Sequence, residues 1–193
     1  MRWKRAWVLS LGLLLIGGCS RPLRQEGDNN TKMTVEGGGR FPSSLAGRWK
    51  ARQHGWELQI EPDGHISWAI LSLGRVRVVP GQTTTMPTQS GDKAVFTPGA
   101  WTVDYLPSTR ELTVKITMDH VRVEMAGNIL EGASTDVFIG PVTPNGRTWP
   151  TQWTTFTRYT GHTPDNTSFN LSTDPTDGDT RLLVFEKTDV ASP

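Results

Sequence analysis

The chain has 193 residues, with 20 lysines and arginines against 19 aspartates and glutamates, eight tryptophans and a single cysteine. Its near-zero charge gives no basic surface for nucleic acid. One cysteine excludes an internal disulfide framework and a cysteine-built metal centre.

The first five residues, Met1-Arg2-Trp3-Lys4-Arg5, carry three positive charges and no acid, and an apolar run over residues 6–18 follows. A positive end and a short apolar stretch closing on small residues form the secretory pattern. A membrane-spanning helix needs about 20 apolar residues, and this run is shorter. Leu15-Ile16-Gly17-Gly18-Cys19 resembles the lipobox of bacterial lipoproteins, an aliphatic residue and two small ones before an obligatory cysteine. Ile16 stands where leucine is commonest in that family.

The resemblance implies a signal peptide at 1–18, cleavage before Cys19, and a membrane anchor of diacylglycerol and a further acyl chain such as palmitate on that residue. Two acyl chains suffice for stable attachment. Ser20 replaces the aspartate that often retains such proteins at the inner membrane. In a two-membrane bacterium this implies the outer membrane, facing the periplasm. The competing reading is an ordinary secreted protein with a stray cysteine beside its cleavage site, although a free thiol is a liability outside the cell. Removing 1–18 takes away Arg2, Lys4 and Arg5 and no acid, so the net charge moves from +1 to −2. The basicity belongs to the leader.

Residues 19–42 are predicted to be the lipidated cysteine and a flexible linker, because the stretch is polar and rich in glycine and cannot offset its ordering entropy. Gly37-Gly38-Gly39 is not a phosphate loop, since no Gly-Lys-Ser/Thr follows it.

Residues 43–159 read as an antiparallel β domain. Trp56, Leu58 and Ile60 alternate with Glu57, Gln59 and Glu61, and Pro62-Asp63-Gly64 then supplies a turn. The next run places Ile66, Trp68 and Ile70 on one face and His65, Ser67 and Ala69 on the other, predicting a hairpin over 56–72. Val76 and Val78 alternate with arginines. Leu112, Val114, Ile116 and Met118 form an apolar face that changes phase near Asp119-His120, after which Val121, Val123 and Met125 take over. One inserted residue, a bulge, does this. Pro144-Asn145-Gly146 separates a further strand from the aromatic run 149–159. No window has a helical period, so the fold class is all-β, an antiparallel barrel or sandwich. Residues 160–193 are predicted to be a polar, mobile excursion with one final strand at Leu182-Leu183-Val184-Phe185.

Leu45-Ala46-Gly47-Arg48-Trp49 is similar to the first-strand motif of lipocalins and lipocalin-like domains. The resemblance implies a barrel in which Gly47 permits close approach at one end and Trp49 plugs it, with Arg158 or Arg181 able to cover the tryptophan. It departs from that family in having no helical pattern after Tyr159. A barrel of this kind either holds one small ligand or is filled by its own side chains.

Chemistry is sparse. His54, His65, His120 and His162 have no metal-ligand spacing, and no cofactor is expected. Asp119 and His120, adjacent on a strand, point to opposite faces. Glu131 and Asp136 also fall on opposite faces unless Gly132 marks a bulge, and Gly132-Ala133-Ser134-Thr135 lacks the second glycine of a nucleophile elbow. Trp149 and Trp153 share a strand face with Thr151, Thr155 and Tyr159. Exposed, that face suits sugar rings or an apolar partner; turned inward, it fills the core, the commoner arrangement.

The expected function is a non-catalytic, lipid-anchored envelope protein binding a small apolar ligand or an envelope partner. A carbohydrate-binding module using Trp149 and Trp153, and least favoured a hydrolase or isomerase using His120, are the alternatives.

Overall fold

The computed structural model describes residues 31–188. The predicted signal peptide and Cys19 lie outside the described residues. Within them the chain is all-β, without an α-helix.

The long runs of alternating side chains form the strands. The predicted hairpin is β3 (Glu57–Ile60) and β4 (Ile66–Ile70), preceded by β2 (Gly47–Ala51) and followed by the short β5 (Arg77–Val78). These four form a meander, because each turn is too short for anything but antiparallel return. A second meander contains β8 (Trp101–Leu106), β9 (Glu111–Met125), β10 (Asn128–Pro141) and β11 (Thr148–His162). Two further strands, β6 (Thr84–Pro87) and β7 (Lys93–Pro98), precede it.

β9 is long enough to serve two neighbours. Its first half pairs with β8 and its second half with β7, the chain turning the corner between them at Gly99. The phase change expected at Asp119-His120 is a β-bulge: Val121 pairs with Gly132 but Met118 with Ser134, so β9 spends three residues against two of β10. Leu112, Val114, Ile116, Met118 and Val121 thereby all stay buried.

The two meanders are joined by a strand that returns from the end of the chain. β13 (Asp179–Thr188) lies between β11 and β2, antiparallel to both. The result is one curled sheet, ordered β1-β8-β9-β10-β11-β13-β2-β3-β4-β5, that forms a half-barrel. β1 (Thr31–Val35) runs parallel to β8, so the sheet is mixed and departs from an up-and-down order.

Side chains of β1 and of the segment after it reach the first meander. Gly64, in the β3–β4 turn, has φ 88°, and a Cβ there would sit 2.6 Å from Met33 and 2.7 Å from Phe41. Glycine is needed both for the turn and for this contact, which brings the segment after β1 against the far meander.

Three expectations are corrected. The predicted linker is structured from Thr31 onward, because its Thr31, Met33 and Val35 alternate inward against β8. In β4 a register shift opposite Gln59 and Ile60 separates Ile66 from Trp68. Ile66 and Ala69 therefore face the core and Trp68 faces out. The polar excursion after Tyr159 is tied down: β11 continues to His162, β12 (Ser168–Asn170) pairs with it, and the Thr173 N–H donates to the Thr157 carbonyl at 3.1 Å.

The core is aromatic. Trp49, Trp56, Trp101 and Trp149 are fully enclosed, as are Phe138 and Phe185. Trp49 packs edge-on to Trp149, whose ring stacks on Phe185 at 5.1 Å; Phe138 connects Phe185 to Trp56 and Trp153. The Trp49 indole N–H donates to the Leu45 carbonyl at 2.9 Å. Beside it, Gly47 leaves room for the Lys187 stem, which a Cβ would meet at 2.7 Å.

Candidate functional site

Register arranges the concave face of β9, β10, β11 and β13 in rows. One row is Val114, Phe138, Trp153 and Arg181; the next is Ile116, Asp136, Thr155 and Asp179. Next come Met118, Ser134 and Thr157, and beyond the bulge Val121, Gly132 and Tyr159. Apolar aromatics thus give way to hydroxyls and carboxylates toward one end of the half-barrel.

A cleft of about 210 Å³ opens at that end. Its floor is Asp136, Ser134 and Met118, one wall is Trp153, Thr157 and Tyr159, and the opposite wall is Trp56 and Leu71 from the first meander. Gly132 makes the space for Tyr159: its φ is 156°, and a Cβ there would meet the Arg158 carbonyl oxygen at 1.9 Å and the Tyr159 ring at 2.8 Å.

Asp136 is the chemical centre of this cleft. It is 6% exposed, and its Oδ1 accepts a hydrogen bond from the Trp153 indole at 2.8 Å. Burial pushes its carboxyl up to about 6, against the lowering effect of hydrogen bonds from Trp153 and Thr155. Tyr159 is raised above the usual phenol range by burial, and the charge on Asp136 adds to this while a hydrogen bond with Ser134 opposes it. The indole N–H of Trp56 is the one buried side-chain polar atom among the described residues with no hydrogen-bond partner. The lining therefore sets a buried acid poised near neutral pH among five hydroxyl-bearing side chains, Ser72, Ser134, Thr155, Thr157 and Tyr159, with Asp179 and Arg181 also lining it and Trp56, Leu71 and Met118 as apolar surface.

The other candidates from the sequence are placed as follows. Trp149 is fully buried, and its indole donates to the Gly140 carbonyl at 3.0 Å. Trp153 is stacked on Phe138 and flanked by His54 and the Arg181 guanidinium, so neither ring presents an open platform for a sugar. Trp153 meets the cleft instead. Arg181 lies over Trp153 at 5.9 Å and not over Trp49.

His120 binds Glu131 at 3.0 Å, and Glu131 also takes Arg122 at 2.7 Å; this network stands on the outer face with both His120 and Glu131 42% exposed. The hydrogen bond from His120 holds the Glu131 carboxyl below the ordinary range, with Arg122 adding to it against a smaller effect of burial. Glu131 and Asp136 lie on opposite faces of β10, as their offset requires. The four histidines remain apart, and no group of three metal-ligating side chains occurs among the described residues.

Sequence reading passed over Asp136 as a centre because it weighed that residue only as a partner for Glu131. The signal was there: Asp136 occupies the same alternation as Ser134 and Phe138, so an inward Phe138 implies an inward acid.

What the geometry defines is an all-β half-barrel with a small, polar-floored cleft in its concave face. No protein-family model, curated protein sequence or solved structure matches this chain at a significant level.

Proposed function

We propose that the chain is a non-catalytic binding protein of the bacterial envelope, anchored by lipid on Cys19, whose concave cleft takes a small, largely apolar molecule with a hydrogen-bonding tip. The observation that carries the binding role is the buried carboxyl of Asp136 in the floor of a cleft walled in part by Trp56, Leu71 and Trp153. Its volume, about 210 Å³, sets the size of the ligand below the roughly 300–1,000 Å³ typical of sites for drug-sized molecules. A ligand hydroxyl has an acceptor in Asp136 at the cleft floor.

Phenol is the simplest probe with that tip and an apolar ring. Titrating it into isotopically labelled protein should shift the indole N–H signals of Trp56 and Trp153 saturably, leaving that of Trp149 in place. Absence of any movement at Trp56 and Trp153 would remove the cleft as a ligand site.

Support for the anchor is the positive end, short apolar run and lone Cys19 of the sequence, and the outer membrane facing the periplasm is the placement that Ser20 favours. Cells expressing the chain and fed labelled palmitate should incorporate label into it, and Cys19→Ser should abolish incorporation and release the protein from the membrane fraction. An unlabelled wild-type chain would refute the anchor.

A further inference from the structure

The convex face of the first meander gathers positive charge around one tryptophan. Arg48 and Lys50 point outward from β2, between inward Trp49 and Ala51. Between them and Arg75 lies Glu57, 1% exposed, which accepts from Arg48 Nε at 2.9 Å and lies 3.2 Å from Lys50 Nζ and 3.5 Å from Arg75. Burial alone would raise the Glu57 carboxyl, but the hydrogen bonds and charges of Arg48 and Lys50 hold it below its ordinary value.

The acid is thus covered by its own cations, which are 40–63% exposed. Arg77 adds a fourth cation, its guanidinium 4.6 Å from the centre of the Trp68 ring, with Arg48 5.4 Å from the same ring. No carboxylate pairs with Arg77 among the described residues. What reaches solvent is an indole set between guanidiniums, backed by a net positive cluster.

The same convex face carries a second feature. On β13, the neighbour of β2, Leu182 and Val184 point outward and are 80% and 48% exposed. The row through Leu182 continues across Gln152 to Ile139 on β10, also exposed. Between the two features Arg52 and Glu186 neutralise each other at 3.1 Å. Aliphatic side chains on β13, with an amphipathic indole and arginines farther along the same face, match the boundary between lipid headgroups and acyl chains. The positive cluster selects a negative surface.

We propose that this convex face docks onto an anionic phospholipid surface, using Leu182 and Val184 as the inserted groups and Arg48, Lys50, Arg77 and Trp68 at the headgroup level. The docking goes beyond the acyl anchoring proposed at Cys19, because an acyl chain holds the protein at one point, whereas this face fixes an orientation.

The test uses the full chain on vesicles of phosphatidylcholine, with and without phosphatidylglycerol, containing lipids brominated along the acyl chain. Bromine quenches only nearby indoles, and comparison with Trp68→Phe isolates the signal of Trp68. Quenching of Trp68 is expected in the phosphatidylglycerol vesicles and should fall at high salt. Arg77→Glu with Leu182→Asp, both at exposed positions, should remove it while leaving the emission of the buried tryptophans unchanged. Neutralising Arg77 alone, as Arg77→Gln, should weaken the contact about fivefold.

Unquenched Trp68 on phosphatidylglycerol vesicles would overturn the proposal even if palmitate labelling succeeds. Equal quenching on neutral and anionic vesicles would overturn the assignment to an anionic surface. Quenching unaffected by the double substitution would show that another face makes the contact.

Discussion

Trp149→Ala is expected to leave the domain largely unfolded, or with its denaturant midpoint reduced to a small fraction of the wild-type value. The ring is fully buried at the meeting point of Trp49, Phe138 and Phe185, with centroid distances of 6.2, 6.4 and 5.1 Å. Truncating such a side chain costs about 3–5 kcal/mol in transfer and cavity terms. The Gly140 carbonyl also loses the indole donor that satisfies it, at a further cost of about 1–3 kcal/mol. The sum rivals the roughly 5–15 kcal/mol by which a domain is stable at all.

The site cannot readily collapse, because β10 and β11 are held at close approach there: a Cβ on Gly140 would meet the Pro150 carbonyl at 2.0 Å. Trp149→Phe should be markedly milder, since it keeps most of the apolar contact and loses the hydrogen bond. Leu182→Ala, at an 80% exposed position, should be nearly neutral. Circular dichroism during urea unfolding measures all three. A Trp149→Ala protein as stable as the Leu182→Ala protein would contradict the aromatic core.

The contrast between Trp149 and Leu182 shows how far the sequence could be read. Strict alternation made the 56–72 hairpin legible, and the break of alternation at Asp119-His120 made a bulge legible, because both are properties of consecutive residues. Alternation on β13 is just as clean, Leu183 and Phe185 inward and Leu182 and Val184 outward, but four apolar residues in a row hide it. β1 was hidden differently. Its pairing with β8 is parallel and spans about seventy residues, and its flanking glycines resemble a linker.

Trp68 was misplaced because a one-residue bulge reverses every side chain that follows, and nothing local to Ser67 announces it. The burial of Glu57 was equally illegible. It depends on three cations, two from the neighbouring strand and one from the loop before β5. The cleft suffered from both problems: its floor comes from β9 and β10, its facing wall from the first meander, and only the fold brings Asp136 and Trp56 into one lining.

Asp136→Asn should reshape the dependence of stability on pH, and the direction follows from linkage. In the unfolded chain this carboxyl titrates near 3.8, and in the folded chain at about 6, so between those values the folded state holds a proton that the unfolded state has released. The wild-type protein is therefore destabilised by this group as pH rises from about 4 to about 6, and the loss is complete above the folded value. Moving an acid that far corresponds to roughly 3 kcal/mol.

Asparagine stays neutral throughout and can still accept from Trp153 and Thr155. Unfolding free energies of the two proteins should be close near pH 4, diverge in favour of the variant through the titration range, and differ by a constant amount above it. Groups such as Glu57, whose lowered carboxyl value makes stability fall with acid, are common to both proteins and cancel in the difference. The divergence ties the cleft to its proposed ligand. A hydroxyl that donates to ionised Asp136 relieves the penalty of leaving that charge buried, so phenol should stabilise the wild-type protein more above about pH 6 than near pH 4, and the asparagine variant by the same amount at both. A difference between the two proteins that does not change with pH would mean that Asp136 keeps one charge state across the range, and the cleft would then lack the poised acid on which its binding role rests.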